Sequence, residues 1–324
     1  MARLSAGAYI FTDHDRLSVT QRELATAIWK QLEAHPKRVR LLNDPSRVLS
    51  RYELICELSS NGQNHYRARR PGEGLDSLRY PVFIRAERGH DGSITPLLHS
   101  AAAVHRALIW TRILGFQTQE LLIVEFCDTS DGEGLFRKYS AFMVGDDVLP
   151  RHLLFSRNWQ LKQPDITNAD TERETQVYIE RNPHRDTLRD IFRRAGVDYG
   201  RIDYSILEKK LQVWEINTNP MVRKLASPLT EAFSKLDERF SADLEPIPIH
   251  LDSDLIGSAE FEARVEAAAA RRRTRIANRL EAPFPWLLRT AGQLLLPGRS
   301  LRPSALDVRK LRGSRDDGCF KILS

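Results

Sequence analysis

Two neighbouring segments of this 324-residue chain carry oxygen donors at a spacing that could hold a hard cation. Arg201-Ile202-Asp203-Tyr204-Ser205-Ile206 and Leu211-Gln212-Val213-Trp214-Glu215-Ile216-Asn217 alternate polar and apolar side chains, as half-buried strands do. Leu207 to Lys210 makes a short turn between them, so the pattern predicts an antiparallel hairpin. With a side-chain period of two, Arg201, Asp203 and Ser205 share one face, and Glu215 and Asn217 share one face of the partner strand. Cross-strand pairing then sets Asp203 beside Glu215 and Asn217. Two carboxylates and an amide oxygen suit Mg²⁺, which keeps several waters and takes its other ligands from nucleotide phosphates. Without a cation between them the two carboxylates would repel each other, unless both are simply solvent-facing strand charges. Asn217-Thr218-Asn219-Pro220 is a poor continuation of a strand and a good functional loop.

The elements upstream must bring further groups to this hairpin. Ala8 to Phe11 reads as a strand, Thr20 to Ala34 as a helix with Ala25, Ile28 and Leu32 at helical spacing, and Val39 to Leu42 as a second strand. That is a βαβ start. Ser50 can cap a helix running through Leu58, with Glu53 at the capping-box position and Gly62 beyond its end. Pro81 to Arg85 is strand-like and leads into the glycine loop Gly89-His90-Asp91-Gly92-Ser93, whose exposed backbone N–H groups suit phosphate. Ala101 to Leu114 is helical and Glu120 to Phe126 is a strongly apolar strand. Tyr139 to Val144 and Val148 to Phe155 form a hairpin, and Arg185 to Arg194 is a helix leading into the cation-binding hairpin.

Arg201-Ile202-Asp203 followed after a hairpin by Glu215-Ile216-Asn217-Thr218-Asn219-Pro220 resembles the metal-binding signature of the ATP-grasp superfamily, which includes D-alanine:D-alanine ligases, glutathione synthetases and related carboxylate–amine ligases. The resemblance implies an α+β, ATP-grasp-like fold. Residues 1–48 would form a short N-terminal βαβ lobe, 49–256 a catalytic region of two α+β lobes clamping ATP, and 257–324 a helical, basic C-terminal appendage. It implies that Asp203, Glu215 and Asn217 hold Mg²⁺ on ATP, and that Arg201 is catalytic, steadying the transferred phosphoryl group and an acyl-phosphate. Where the family carries two phosphate-binding lysines this chain has Arg51 and Arg85, a departure that keeps the charge and offers a bidentate fork. Glu125 matches the end of the family's hinge strand, which meets the nucleotide. Lys138 and Arg151 match basic residues that face phosphate and the carboxylate substrate. The implied reaction is activation of a small-molecule carboxylate for attack by an amine. The same residues would also serve a phosphotransferase, and a nucleotide-binding module without turnover is a third reading.

Composition bounds these readings. With 41% apolar and 28% charged residues the chain can bury a sizeable core, and no apolar run approaches a membrane span. The N-terminus lacks a signal-peptide pattern, and the three cysteines, Cys56, Cys127 and Cys319, are odd in number and far apart, so reduced thiols in a cytoplasm are expected. The formal charge is +6, and residues 257–324 hold 14 Lys and Arg against 7 Asp and Glu, so the body is nearly neutral. No nucleic-acid partner is expected on that distribution. The basic tail, with a helix around Ala267 to Arg273 and apolar stretches from Phe284 to Leu296, could dock on the body, a partner or an anionic surface. Association into a homo-oligomer stays open.

Overall fold

The computed structural model describes residues 2–88, 92–220, 227–237, 246–281 and 320–323. After β1 (Ala2–Leu4), the strand β2 (Gly7–Phe11) runs to Ser18, which caps α1 (Val19–Glu33) in a reciprocal capping box with Gln21. The chain returns through β3 (Val39–Leu42), parallel to β2, completing the expected βαβ unit. Tyr9 and Phe11 pack on Leu24, Ile28 and Leu32 of α1, while Ala8 and Ile10 face Phe142, Val144 and Tyr199 on the other side. Burial on both faces is why β2 reads as a continuous apolar run rather than an alternating one.

Three antiparallel strands in the order β4-β6-β5 build the next layer, with β4 (Ala68–Arg69), β5 (Val82–Ala86) and β6 (Leu121–Glu125). Helix α2 (Arg51–Ser60) starts at the predicted Ser50 cap with Glu53 closing the box, and α3 (Ala101–Ile113) follows β5. Leu121 and Ile123 of β6 face Val104 and Ala107 of α3, and Leu122 and Val124 face Ile55 of α2.

A four-stranded antiparallel sheet carries the hairpin. Its order is β10-β9-β7-β8, with β7 (Phe136–Val144), β8 (Asp147–Ser156), β9 (Tyr199–Leu207) and β10 (Lys210–Asn217). Glu208 and Lys209 both take positive φ, the geometry of a two-residue turn that follows strand twist. Helices α4 (Ala169–Arg181) and α5 (Arg185–Arg194) cover one face, where Leu188, Ile191 and Phe192 pack on Ala141, Ile202, Tyr204 and Val213. The opposite face is left for the cleft.

The rest of the chain folds back on the N-terminal lobe. Helix α6 (Ser227–Asp237) packs Leu229, Ala232 and Leu236 under β2 and β7. Strand β11 (Ile247–Ile249) pairs with β1, and α7 (Ser253–Glu281) begins at Ser253 and lies along α1, where Glu262 accepts hydrogen bonds from Ser18 and Thr20. Helix α7 continues to Glu281, and the last described residues, Phe320–Leu323 (β12), pair in parallel with Ala8 to Phe11 of β2. An open edge of a parallel sheet is a ready acceptor for an apolar segment, and Phe-Lys-Ile-Leu is one. The apolar stretches from Phe284 to Leu296, and Cys319, lie outside the described residues. No helix among the described residues is long and apolar enough to cross a membrane.

One buried side chain joins the N-terminal strands to the four-stranded sheet. Asn43, fully buried just after β3, donates from Nδ2 to the carbonyls of Phe11 (2.9 Å) and Tyr199 (2.8 Å). Its Oδ1 accepts from the N–H groups of Asp198 (2.8 Å) and Tyr199 (2.9 Å). Every hydrogen-bonding position of the amide is therefore used. Its φ of +64° is one that asparagine tolerates better than most residues. Asn43→Ala removes a partner from four backbone groups, of which the Tyr199 N–H and carbonyl are buried, at about 1–3 kcal/mol for each left unpaired. The expected result is a loss on the order of 3 kcal/mol or more, read as a lowered urea midpoint; a midpoint equal to wild type would show that the lobes are joined elsewhere.

Candidate active site

The arrangement of Asp203, Glu215 and Asn217 on the hairpin depends on an extra residue. Val213 pairs with Tyr204 and Glu215 pairs with Asp203, so Trp214 has no opposite number and forms a β-bulge. Leu211 and Val213 point into the core. Unbroken alternation from them would send Glu215 and Asn217 into the core as well. The bulge reverses the phase, Ile216 joins the core, and Glu215 comes to lie directly opposite Asp203 on the cleft face.

Side chains of Asn64, Tyr66 and Ser205 hold the bulge. The Asn64 amide donates to the Val213 carbonyl (3.2 Å) and accepts from the Val213 N–H (2.9 Å), serving as a side-chain substitute for a neighbouring strand. The Tyr66 hydroxyl also donates to the Val213 carbonyl. The Trp214 indole N–H donates to Ser205 Oγ (3.0 Å) while its ring lies 5.1 Å from that of Tyr66. At the other end, Gly200 is required by close approach: a Cβ there would come 2.9 Å from the Asn217 carbonyl oxygen.

Across the sheet one row of cross-strand neighbours forms: His152 on β8, Ser140 on β7, Asp203 on β9 and Glu215 on β10. Lys138 shares the face of Ser140, which the pattern of β7 alone did not decide. Its ammonium lies 3.8 Å from Asp203, whose carboxylate also accepts from Arg201 Nε at 3.0 Å. Glu215 Oε2 accepts from Arg51 Nη2 (2.8 Å) and Arg85 Nη2 (3.2 Å). Two opposed carboxylates are thus surrounded by four cations. Asn217 pairs with Arg201, and its Oδ1 accepts from the Asn219 N–H (2.8 Å) to turn the chain out of the sheet. That turn is tied to the loop after β2, where the His14 N–H donates to Thr218 Oγ1 (3.2 Å) and Asp13 accepts from Asn219 Nδ2 (2.7 Å). His14 is buried, and burial with the nearby Arg22 charge pulls its pKa down to about 4, so it sits there as a neutral ring.

Two predicted residues have other surroundings. Glu125 is buried at the end of β6 and faces away from the cleft, its oxygens bound by Arg67 (2.7 Å) and Arg79 (2.9 Å). Burial alone would raise its carboxyl, and the hydrogen bonds from Arg67 and Arg79 outweigh that, leaving it below the usual range. Its side chain braces the loops before β4 and β5, while the following residues Phe126 and Cys127 line the cleft. Arg151 is the extra residue of a second bulge, between His152 and Pro150 opposite Ser140 and Ala141, and is exposed rather than in the cleft lining. Its neighbour His152 takes the inward position in the row. Burial lowers the His152 pKa to about 4, so it too is neutral.

Sequence reasoning missed Asn64, Trp159 and Lys162. Trp159 sits 5.1 Å from the Phe83 ring and 5.6 Å from Phe126, so the loop after β8 reaches across to the strands of the upstream layer. Lys162 lies over Gly92, where a Cβ would meet its Cε at 2.7 Å. Both line the cleft with Phe83, Arg85, Lys138, Asp203 and Glu215. An irregular loop has no periodicity to reveal them. His90, with Gly89 and Asp91, lies outside the described residues.

The donors fit a hard divalent cation. Directly opposed cross-strand residues have Cβ atoms roughly 5 Å apart, within reach of one ion for two carboxylates. Among the described residues no group of three or more His, Cys, Asp or Glu is found, so the remaining ligands would be waters and phosphate oxygens.

No family model and no curated protein matches this sequence. Solved structures similar to it include the D-alanine–D-alanine ligase of Coxiella burnetii, 13% identical over 88% of this chain and 73% of that one, with a TM-score of 0.41. Another is the D-alanine–D-alanine ligase of Bacillus anthracis, 10% identical over 81% and 99%, TM-score 0.39. The ATP-grasp ligase PsnB complexed with a minimal precursor is 13% identical over 64% and 67%, TM-score 0.40. Likeness at this level carries no weight of its own; the side chains above carry the reading.

The bulge generates a direct test. Asn64→Ala removes the side-chain partner of the Val213 N–H and leaves the Val213 carbonyl to Tyr66, a cost on the order of 2 kcal/mol. Hydrogen exchange across Leu211 to Asn217 is expected to speed up while that of α1 stays unchanged. Exchange equal to wild type in that strand would show that the bulge holds without Asn64.

Proposed function

We propose that this protein is an ATP- and Mg²⁺-dependent ligase that activates a carboxylate for attack by an amine. The observation that carries the reading is the direct opposition of Asp203 and Glu215 on the cleft face, within a ring of Arg51, Arg85, Lys138 and Arg201. Phosphoryl transfer needs alignment and charge neutralisation more than covalent help from the protein. Mg²⁺, when bound, would neutralise the phosphates and polarise the γ-phosphoryl group. Asp203, Glu215 and Asn217 would hold it. Arg85, Lys138 and Lys162 line the same cleft and would bind the phosphate oxygens.

Arg201 is placed for the charge that develops in transfer. Its guanidinium is fixed by Asp203 and shares the strand face of the metal ligands, so it would meet the equatorial oxygens of the phosphoryl group as a carboxylate oxygen attacks phosphorus and ADP departs. It would then face the acyl-phosphate while the amine attacks the acyl carbon and phosphate leaves. Trp159, Phe83 and Phe126 form an aromatic wall at one end of the cleft, suited to exclude water from an acyl-phosphate.

The experiment is product analysis with candidate acids and amines. A ligase releases ADP and free phosphate only when both are present; a phosphotransferase releases ADP without phosphate, and a binding module releases neither. Asp203→Asn and Glu215→Gln are each expected to abolish Mg²⁺-dependent turnover with the fold preserved by circular dichroism, and unchanged rates would sink the metal assignment. Arg201→Ala is expected to lower kcat by about 10² or more with little change in nucleotide Kd, the scale of a positioned transition-state donor. A variant weakened in nucleotide binding alone would contradict its role.

A further inference from the structure

Glu215 is engaged twice over before any metal arrives. Its Oε2 takes both Arg51 Nη2 and Arg85 Nη2, at 2.8 and 3.2 Å. The two guanidinium side chains are only 3% and 11% exposed. Arg51 is anchored from behind, its Nη1 donating to the carbonyls of Ala86 and Glu87. Two guanidinium charges on one carboxylate leave a positive charge uncompensated at that point. Moreover, the Nε of Arg51 and the Nε of Arg85 are both buried without a hydrogen-bond partner among the described residues. Buried N–H donors left unpaired are costly, and Arg85, which lines the cleft, would satisfy its own on an anion bound there. A divalent cation approaching Glu215 alone meets the opposite situation. It must displace charge-assisted hydrogen bonds and then sit beside two fixed positive charges in a poorly solvated site.

We propose that Arg51 and Arg85 latch Glu215, so that the cleft takes up a polyphosphate anion first, without metal, and admits a divalent cation to Glu215 only after that anion has drawn the two guanidinium groups away. This rests on the ligase reading above. Arginine suits the device because its fork can transfer donors from carboxylate to phosphate with little movement of the side chain. Binding of the two ligands is then coupled, and each strengthens the other by the same factor.

The test uses the whole chain and binding alone. Mn²⁺ uptake is followed by loss of the free-ion electron paramagnetic resonance signal, with and without a non-hydrolysable ATP analogue, and the analogue is titrated separately in EDTA. The analogue is expected to bind in EDTA, Mn²⁺ alone to bind weakly, and the analogue to strengthen Mn²⁺ binding about tenfold or more. Arg85→Met is expected to strengthen Mn²⁺ binding in the absence of analogue by about tenfold and to shrink the coupling by the same factor. Adding Glu215→Gln should remove that gain. Arg51→Met gives a second measurement, with melting curves showing that α2 stays in place. If wild-type protein binds Mn²⁺ equally well with and without analogue, or if both arginine variants leave Mn²⁺ affinity unchanged, the latch is overturned while the ligase reading stands. If neither analogue nor Mn²⁺ binds under any condition, both fall.

Discussion

The bulge at Trp214 is the constraint on which the site depends. A strand that feeds a core with Leu211 and Val213 cannot present Glu215 and Asn217 to a cleft on the other side unless its phase is broken once. One extra residue does this. The break is stable because the backbone groups it frees are taken up by Asn64 and Tyr66, and because the bulged side chain is itself bound to Ser205. The segment after α2 is thus part of the site although none of its residues needs to touch a ligand.

Electrostatics gives the cleft its character. Asp203 and Glu215 face each other across neighbouring strands, and the four cations around them exceed what two carboxylates compensate. In solvent such an excess would be screened; Arg51 and Arg85 are buried, so it persists, as the proposed uptake of a multiply charged anion requires. Arginine in place of lysine at these two positions changes more than geometry. A lysine would offer one point charge, whereas each guanidinium spans backbone carbonyls or the cleft as well as Glu215.

Much of this was legible beforehand. The Ser50–Glu53 capping box is a local reciprocal bond, and it forms as read. The parallel βαβ start and the hairpin of β9 and β10 follow from periodicity and turn chemistry, and both are present. Helix α6 was not anticipated, because its burial against β2 and β7 comes from tertiary contact. Glu125 shows the opposite limit. Its place at the end of an apolar strand was correct, but the direction of its side chain depends on Arg67 and Arg79, which arrive from loops with no pattern.

The sequence by itself determined which residues stand on one strand face and that β9 pairs with β10 and β7 with β8, since both follow from a period of two and a short turn. It contained the bulge too, in the adjacent apolar pair Val213-Trp214 that interrupts the alternation, but only packing on the core shows which side of the break faces in. Tertiary structure alone decided that His152 and Lys138 face the cleft, that Arg151 does not, and that Arg51 and Arg85 meet on one oxygen of Glu215. It also sent the chain's last described strand back to β2. Those contacts join residues up to hundreds of positions apart, and nothing in local periodicity encodes which distant charges will be brought to the same point.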